Sequence, residues 1–342
     1  MKHSHLMLAA AAVTMLIPAC NKTDGLLPDA RRDGKAVSFN TYVSRTRATN
    51  LTAANISDFG VFAYHTGTEV WNDAALPDFM FNQQVSGSVS DGFSYTPVKY
   101  WPSSQNAKLT FFSYAPYATL SNGISLVTAN TTAGYPKIKY ALPSVESSQV
   151  DLLAATPVYD CTLAESGGSV CFNFNHVLSR IGFHVVLSGT GNYDGTSIYL
   201  NSIALTAKFP TSGVLDLGEG SWSEVVAGRD KQFVRNFGSG AEGLAVTAAK
   251  QEALGADGPV LSIPVEDLEM VLDVTYTIIT PDAALESGSV SLVNNRQQTF
   301  TLSMQKGTSY DFLIAIGPRT VDFSAPVVGD WSTAEDSAFT LD

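Results

Sequence analysis

Charge is scarce in this chain. Charged side chains make up 15% of its 342 residues, against about a quarter in ordinary globular proteins. Positive charge is scarcer still: 20 Lys and Arg face 32 Asp and Glu, a net charge of −12. Holding a phosphate backbone needs clustered Lys and Arg. No basic patch stands out, so nucleic acid is excluded as a partner. Histidines number five, and two of them, His3 and His5, fall at the very start. His65, His176 and His184 are scattered and match no metal-ligand spacing such as H-E-x-x-H. No G-x-S-x-G elbow, phosphate loop or dinucleotide fingerprint follows a strand-like run. Acids are plentiful, but a carboxylate pair argues for glycoside hydrolysis only once its separation in space is known. The sequence therefore points to no enzyme and to no cofactor or metal. It also lacks heptads and tandem repeats.

What is present is strand signal. Hydrophobic residues reach 45%, enough for a substantial core in each of two ordinary domains. Ser, Thr, Asn and Gly replace the missing charge, which suits an extracellular β-protein. Short alternating runs are punctuated by Gly, Pro, Asn and Asp, so the expected fold class is all-β. Val37, Phe39, Thr41 and Val43 alternate with Ser38, Asn40 and Tyr42. That predicts a first strand with Val37, Phe39 and Val43 facing inward. Residues 79–85 and 93–100 flank a Gly- and Ser-rich turn and predict a hairpin. Further strands are expected at 108–117, 135–142, 151–155 and 270–279. In 170–187 the residues Val170, Phe172 and Phe174 alternate with Cys171, Asn173 and Asn175, and Ile181, Phe183, Val185 and Leu187 repeat the pattern. Residues 176–180 break it, as expected where a chain leaves one sheet for the sheet facing it. His176 at this crossover is expected to be a hydrogen-bonded structural histidine.

The start of the chain reads as an export signal. Lys2 supplies the positive charge, and residues 6–17 form an apolar run shorter than the roughly 20 residues that span a bilayer. It ends Ile17-Pro18-Ala19-Cys20, which resembles the lipobox of bacterial lipoproteins. That resemblance makes Cys20 the lipidation site and the outer membrane the anchor, since more than one acyl chain holds firmly where one does not. After the first strand comes a polar segment, residues 44–50, with Arg45 and Arg47. Such a segment is either a solvated loop or a protease site. Cys161 and Cys171 flank the turn 163–168. They either pair across a hairpin, a loop closure worth roughly 3 kcal/mol, or stand as two buried thiols.

Several pieces occur in a telling order. Tyr100-Trp101-Pro102 precedes the run from Lys108 to Tyr117, then Val150 to Ala155, then Phe174-Asn175-His176-Val177-Leu178-Ser179-Arg180-Ile181. Thr211 to Leu217, Pro259 to Pro264 and Lys306 to Tyr310 continue the series. Together they resemble the fimbrillin-like family of Bacteroidia, whose members are pilus subunits. The resemblance implies two transthyretin-like (Greek-key type) β-sandwich domains in tandem. It implies a signal peptide at 1–20, a propeptide with the first strand at 21–47, an N-terminal sandwich at 48–165 and a C-terminal sandwich at 166–342. It implies an outer-membrane lipoprotein precursor that becomes part of a cell-surface fimbrium. Its partners would be other pilus subunits, joined by donor-strand complementation, and a host or bacterial surface ligand. The processing cut would fall between Arg47 and Ala48, with Arg45 in reserve. The C-terminal piece, 324–342, either completes the second sandwich or is donated to a neighbour. A competing reading is a surface-anchored glycan-binding module that stacks sugars on Tyr95, Tyr100 and Trp101, although strand alternation favours core packing for most of these.

If Cys20 carries the anchor, Cys20→Ala yields a precursor that partitions into the aqueous phase of a detergent phase split. Retention of the variant in outer membranes would assign the anchor elsewhere.

Overall fold

The computed structural model describes residues 34–43, 56–143, 145–189 and 195–331. Cys20, Arg45, Arg47, Ala48, Phe339 and Leu341 lie outside the described residues. The chain opens with β1 (Ser38–Val43), β2 (Asp58–Gly67), β3 (Met80–Ser88), β4 (Gly92–Ser94) and β5 (Lys108–Ala115). β6 (Ile124–Leu126), β7 (Lys137–Ala141), β8 (Leu153–Ala155) and β9 (Val158–Cys161) follow. A single turn of helix, α1 (Leu163–Ser166), leads to β10 (Ser169–His176). That turn forms because Thr162 and Glu165 make a reciprocal capping box, and it stops at Gly167, whose φ of 59° is cheap only for glycine.

The first sheet has the order β1-β10-β8-β5-β2-β3-β4, with β9 also paired to β5. Its central strands β2 and β5 are buried on both faces. Their sequences are accordingly near-continuous apolar runs rather than simple alternations. One face of these strands, with Phe59, Val61, Leu109 and Phe111, builds one core with Phe39, Phe172 and Phe174. The other face, with Phe62, Tyr64, Phe112 and Tyr114, builds a second core. The expected hairpin is β3–β4.

The second half comprises β11 (Ser179–Leu187), β12 (Ser197–Ala207), β13 (Ser212–Asp216), β14 (Trp222–Val226) and β15 (Lys231–Asn236). Then come β16 (Leu244–Ala245), β17 (Gln251–Glu252), β18 (Val260–Ser262), β19 (Leu268–Pro281) and β20 (Ser289–Leu302). β21 (Thr308–Ile316), β22 (Val321–Phe323) and β23 (Val327–Asp330) end the described chain. The sheet β17-β11-β21-β22 and the sheet β15-β12-β19-β20 supply strands to one core, with Phe183, Val185 and Phe312 from the first and Leu205, Leu272 and Val274 from the second. β23 pairs with β21, so residues 327–330 complete this half.

The chain leaves the first sheet at Val177 and Leu178, where the crossover was expected. The boundary placed between residues 165 and 166 falls one strand earlier than this. β10 lies in the first sheet, paired with β1 and β8. The reason is packing: Val170, Phe172 and Phe174 need an apolar layer, and Phe39, Phe59 and Phe111 provide it. A fourth sheet, β14-β13-β7-β6, takes strands from both halves. It helps enclose the second core, which also receives Leu215, Leu261, Ile263 and Trp331 from the second half. From Gly34 onward the chain is one compact unit.

Charge crosses the same seam. The Arg235 side chain is wholly buried, donates to the Gly258 carbonyl at 2.7 Å and forms an ion pair with Glu146 of the first half. A charge-assisted bond of this kind contributes about 1.5–3 kcal/mol. Glu146→Ala should lower stability by that order in denaturant titration while keeping one unfolding transition. Two transitions would mean that the halves unfold separately.

Candidate functional site: the edge strand Ser38–Val43

β1 ends the first sheet and runs parallel to β10, with Ser38 beside Ser169 and Val43 beside Phe174. Its alternation is what seats it. Val37, Phe39 and Thr41 are buried, and Ser38, Asn40 and Tyr42 are exposed. Phe39 is the anchor. Its ring stacks on Phe172 at 5.6 Å and meets Phe59 and Phe111 edge-on, each at 6.2 Å. The side chain of Val43 lies outside the described residues. Thr41, which shares the face of Val37 and Phe39, is inward as well. Its hydroxyl is buried without a hydrogen-bond partner, a cost of about 1–3 kcal/mol.

The far end of the sheet curls back to meet the start of β1. The Val37 amide donates to the Lys99 carbonyl, and the Trp101 amide to the Lys35 carbonyl, each at 2.9 Å. The Tyr95 hydroxyl donates to the Val37 carbonyl at 2.8 Å. Burial pushes this phenol up to about 12, so it remains a donor at any physiological pH. The Trp101 indole donates to the Gly168 carbonyl at 3.2 Å. Tyr95 and Trp101 thus belong to the wall around β1, and Trp101 is 4% exposed. Their rings are not a platform for sugars. Only Tyr100 of the three is exposed.

The remaining expected residues fall elsewhere. No bond joins Cys161 and Cys171. The strands carrying them are not partners: β9 pairs with β5, and β10 with β1 and β8. Burial also pushes the Cys161 thiol up, away from the reactive thiolate. His176 is the structural histidine expected of it, 3.0 Å from Asp151 through Nδ1 and stacked on Trp331 at 4.3 Å. Among the described residues no group of three or more His, Cys, Asp or Glu could hold a metal ion. None of their helices is long and apolar enough to cross a membrane. Sequence reasoning missed β10 as the partner of β1, because alternation shows a strand's faces and not its neighbours.

Phe39→Ala should destabilise the chain by about 3–5 kcal/mol, the range for emptying a buried aromatic site. Thr41→Val, which removes the orphan hydroxyl, should stabilise it by roughly 1 kcal/mol. Denaturant midpoints of the two variants check both signs. An unchanged Phe39→Ala midpoint would mean that β1 is not docked in solution.

The comparisons agree with this architecture. The chain is 28% identical over 221 residues to fimbrium subunit Fim1C of Phocaeicola vulgatus, covering 60% of this chain and 57% of that protein. The chain thus spans little more than half the length of that curated relative. A fimbrial protein from Bacteroides vulgatus superposes with a TM-score of 0.70 at 20% identity, over 86% of this chain and 99% of that one. A candidate cell adhesion protein from Bacteroides ovatus gives 0.51 at 15%, over 89% and 100%. These two structures share the fold. The fimbrillin-like family model matches residues 46–331, starting in the polar segment behind β1, and the chain belongs to that family.

Proposed function

We propose that the chain is a structural subunit, shaft or tip-associated, of a cell-surface pilus that serves adhesion and carries out no catalysis. In this reading it is exported as a lipoprotein precursor held at the outer membrane through Cys20. A cut after Arg47, or after Arg45, removes the propeptide 21–47 and β1 with it. One cleavage then frees the subunit from its lipid and opens a groove.

The seating of β1 carries this reading. It is an edge strand, only six residues long. Its loss would bare the unpaired backbone of β10 and a channel walled by Phe59, Tyr95, Phe111 and Phe172. A strand from another subunit fits such a groove by main-chain hydrogen bonds, with alternate side chains entering the pockets. The orphan hydroxyl of Thr41 fits as well, because it leaves room for a donor strand that binds better than β1. The tandem transthyretin-like arrangement is part of the same proposal. Separate apolar clusters in the two halves support it, and the shared sheet ties them together.

Limited digestion with an Arg-specific protease, followed by N-terminal sequencing, tests the scheme. The expected product starts at Ala48 and assembles into polymers. A chain that resists cutting there, or is cut and stays monomeric, would overturn it.

A further inference from the structure

Sheet edges are where chains add to one another, and proteins guard them by keeping edge strands short, charged or covered. The described sheets follow that rule with one exception. The end strands β1, β4, β6, β14, β15, β17 and β22 run for two to six residues. β20 runs for 14 and has β19 as its one ladder partner among the described residues. It contains a single charge, Arg296, and neither Lys nor Pro. Val290, Leu292 and Val293 are 47%, 56% and 64% exposed. Leu292 and Val293 point to opposite faces, so neither face of this stretch is covered.

We propose that β20 is a homotypic contact, in which the edge of one subunit pairs antiparallel with the same edge of a second copy. The occupant is a second copy for two reasons. No other described edge has a length to match it. The charges also suit a two-fold pairing centred on Leu292. There Leu292 meets its own copy and Val293 faces Ser291 of the copy. Arg296 then reaches past the end of the copy's strand, which starts at Ser289, to the turn 282–288 that carries Asp282 and Glu286. The two Arg296 positions stay roughly 27 Å apart along the strands, eight residues at about 3.4 Å each.

The contact is weak by design of its size. A stable interface takes roughly 20–30 residues from each side, and β20 offers fewer. Between two filaments, however, the contact repeats with every subunit, and many weak contacts in register hold firmly. The chemistry is therefore that of lateral association between filaments, not of growth along one. It needs no cleavage and does not depend on the loss of β1.

Sedimentation of the uncleaved chain over a rising concentration series tests it. The expected result is a reversible monomer–dimer equilibrium at high concentration. Leu292→Lys with Val293→Lys should weaken it at least tenfold while leaving the melting temperature unchanged, since both positions are exposed. Arg296→Glu alone should weaken it, and Arg296→Glu with Glu286→Arg should restore it. A chain that stays monomeric throughout overturns the proposal. So does association that survives the lysine pair and disappears when residues 332–342 are removed, because the occupant would then be the tail.

Discussion

The ring of Phe39 lying on the ring of Phe172 is the contact on which the first half depends. β10 has two ladder partners, and they divide it: β8 takes residues 174–176 and β1 takes 169–174. Along residues 169–173, β1 is therefore the one ladder partner of β10 among the described strands. A parallel pair demands a long connection, and here nearly the whole first half of the chain lies between the two strands. Closing so long a loop is an entropic cost met before the contact forms. β1 can dock only on a sheet already built. Removing such an edge strand leaves the pairing of β10 with β8 in place and bares residues 169–173 of β10 to a new partner.

The run Phe174-Asn175-His176-Val177-Leu178-Ser179-Arg180-Ile181 has a matching physical role at the other end of β10. Phe174 fills the first core, Leu178 the second and Ile181 the third. Between them His176 bonds Asp151 and stacks on Trp331, while Arg180 bonds Ser309 at 2.8 Å. Eight residues thus stitch three cores together, and His176, Ser179 and Arg180 each bond a residue far away in sequence, while His176 Nε2 and Arg180 Nε stay buried without a partner. Gly182 is part of the same stitch, since a side chain there would meet the Asp311 carboxylate that faces Arg180. This explains why a motif with no catalytic chemistry has so definite a pattern.

Much of this was legible beforehand. Alternation located β1, β10 and β11, a strand was expected at 270–279 inside β19, and the break at 176–180 marked the change of sheet. What alternation could not give was partnership. Strand β10 reads equally well as the first strand of a second domain, and only the positions of Phe39, Phe59 and Phe111 decide that it is not. The same gap hid the sheet shared by β7 and β13, whose strands lie on either side of that expected boundary. Strand alternation favoured core packing for most of Tyr95, Tyr100 and Trp101, but it could not say what their donors bind. In the fold those donors bind the carbonyls of Val37 and Gly168. A polar tip on a buried ring is as much a wall component as a binding group.

The scarcity of charge, the first feature of the sequence, acquires its meaning from these edges. Buried charge is used for joining: Arg235 with Glu146 ties the two halves, and Arg180 with Asp311 ties β11 to β21. Of the end strands, β1, β4 and β6 carry no charge and the long β20 carries one. A surface held by ions loosens as salt screens it, over about 8 Å at physiological strength. A surface joined by backbone ladders and apolar side chains does not. Neutral edges also carry a hazard, because unguarded ladders pair indiscriminately. Short strands answer that hazard at most edges of this molecule, and a docked strand answers it at β10. Those two devices leave the remaining sticky surface in defined places, which is the condition a β-protein must meet to assemble without aggregating.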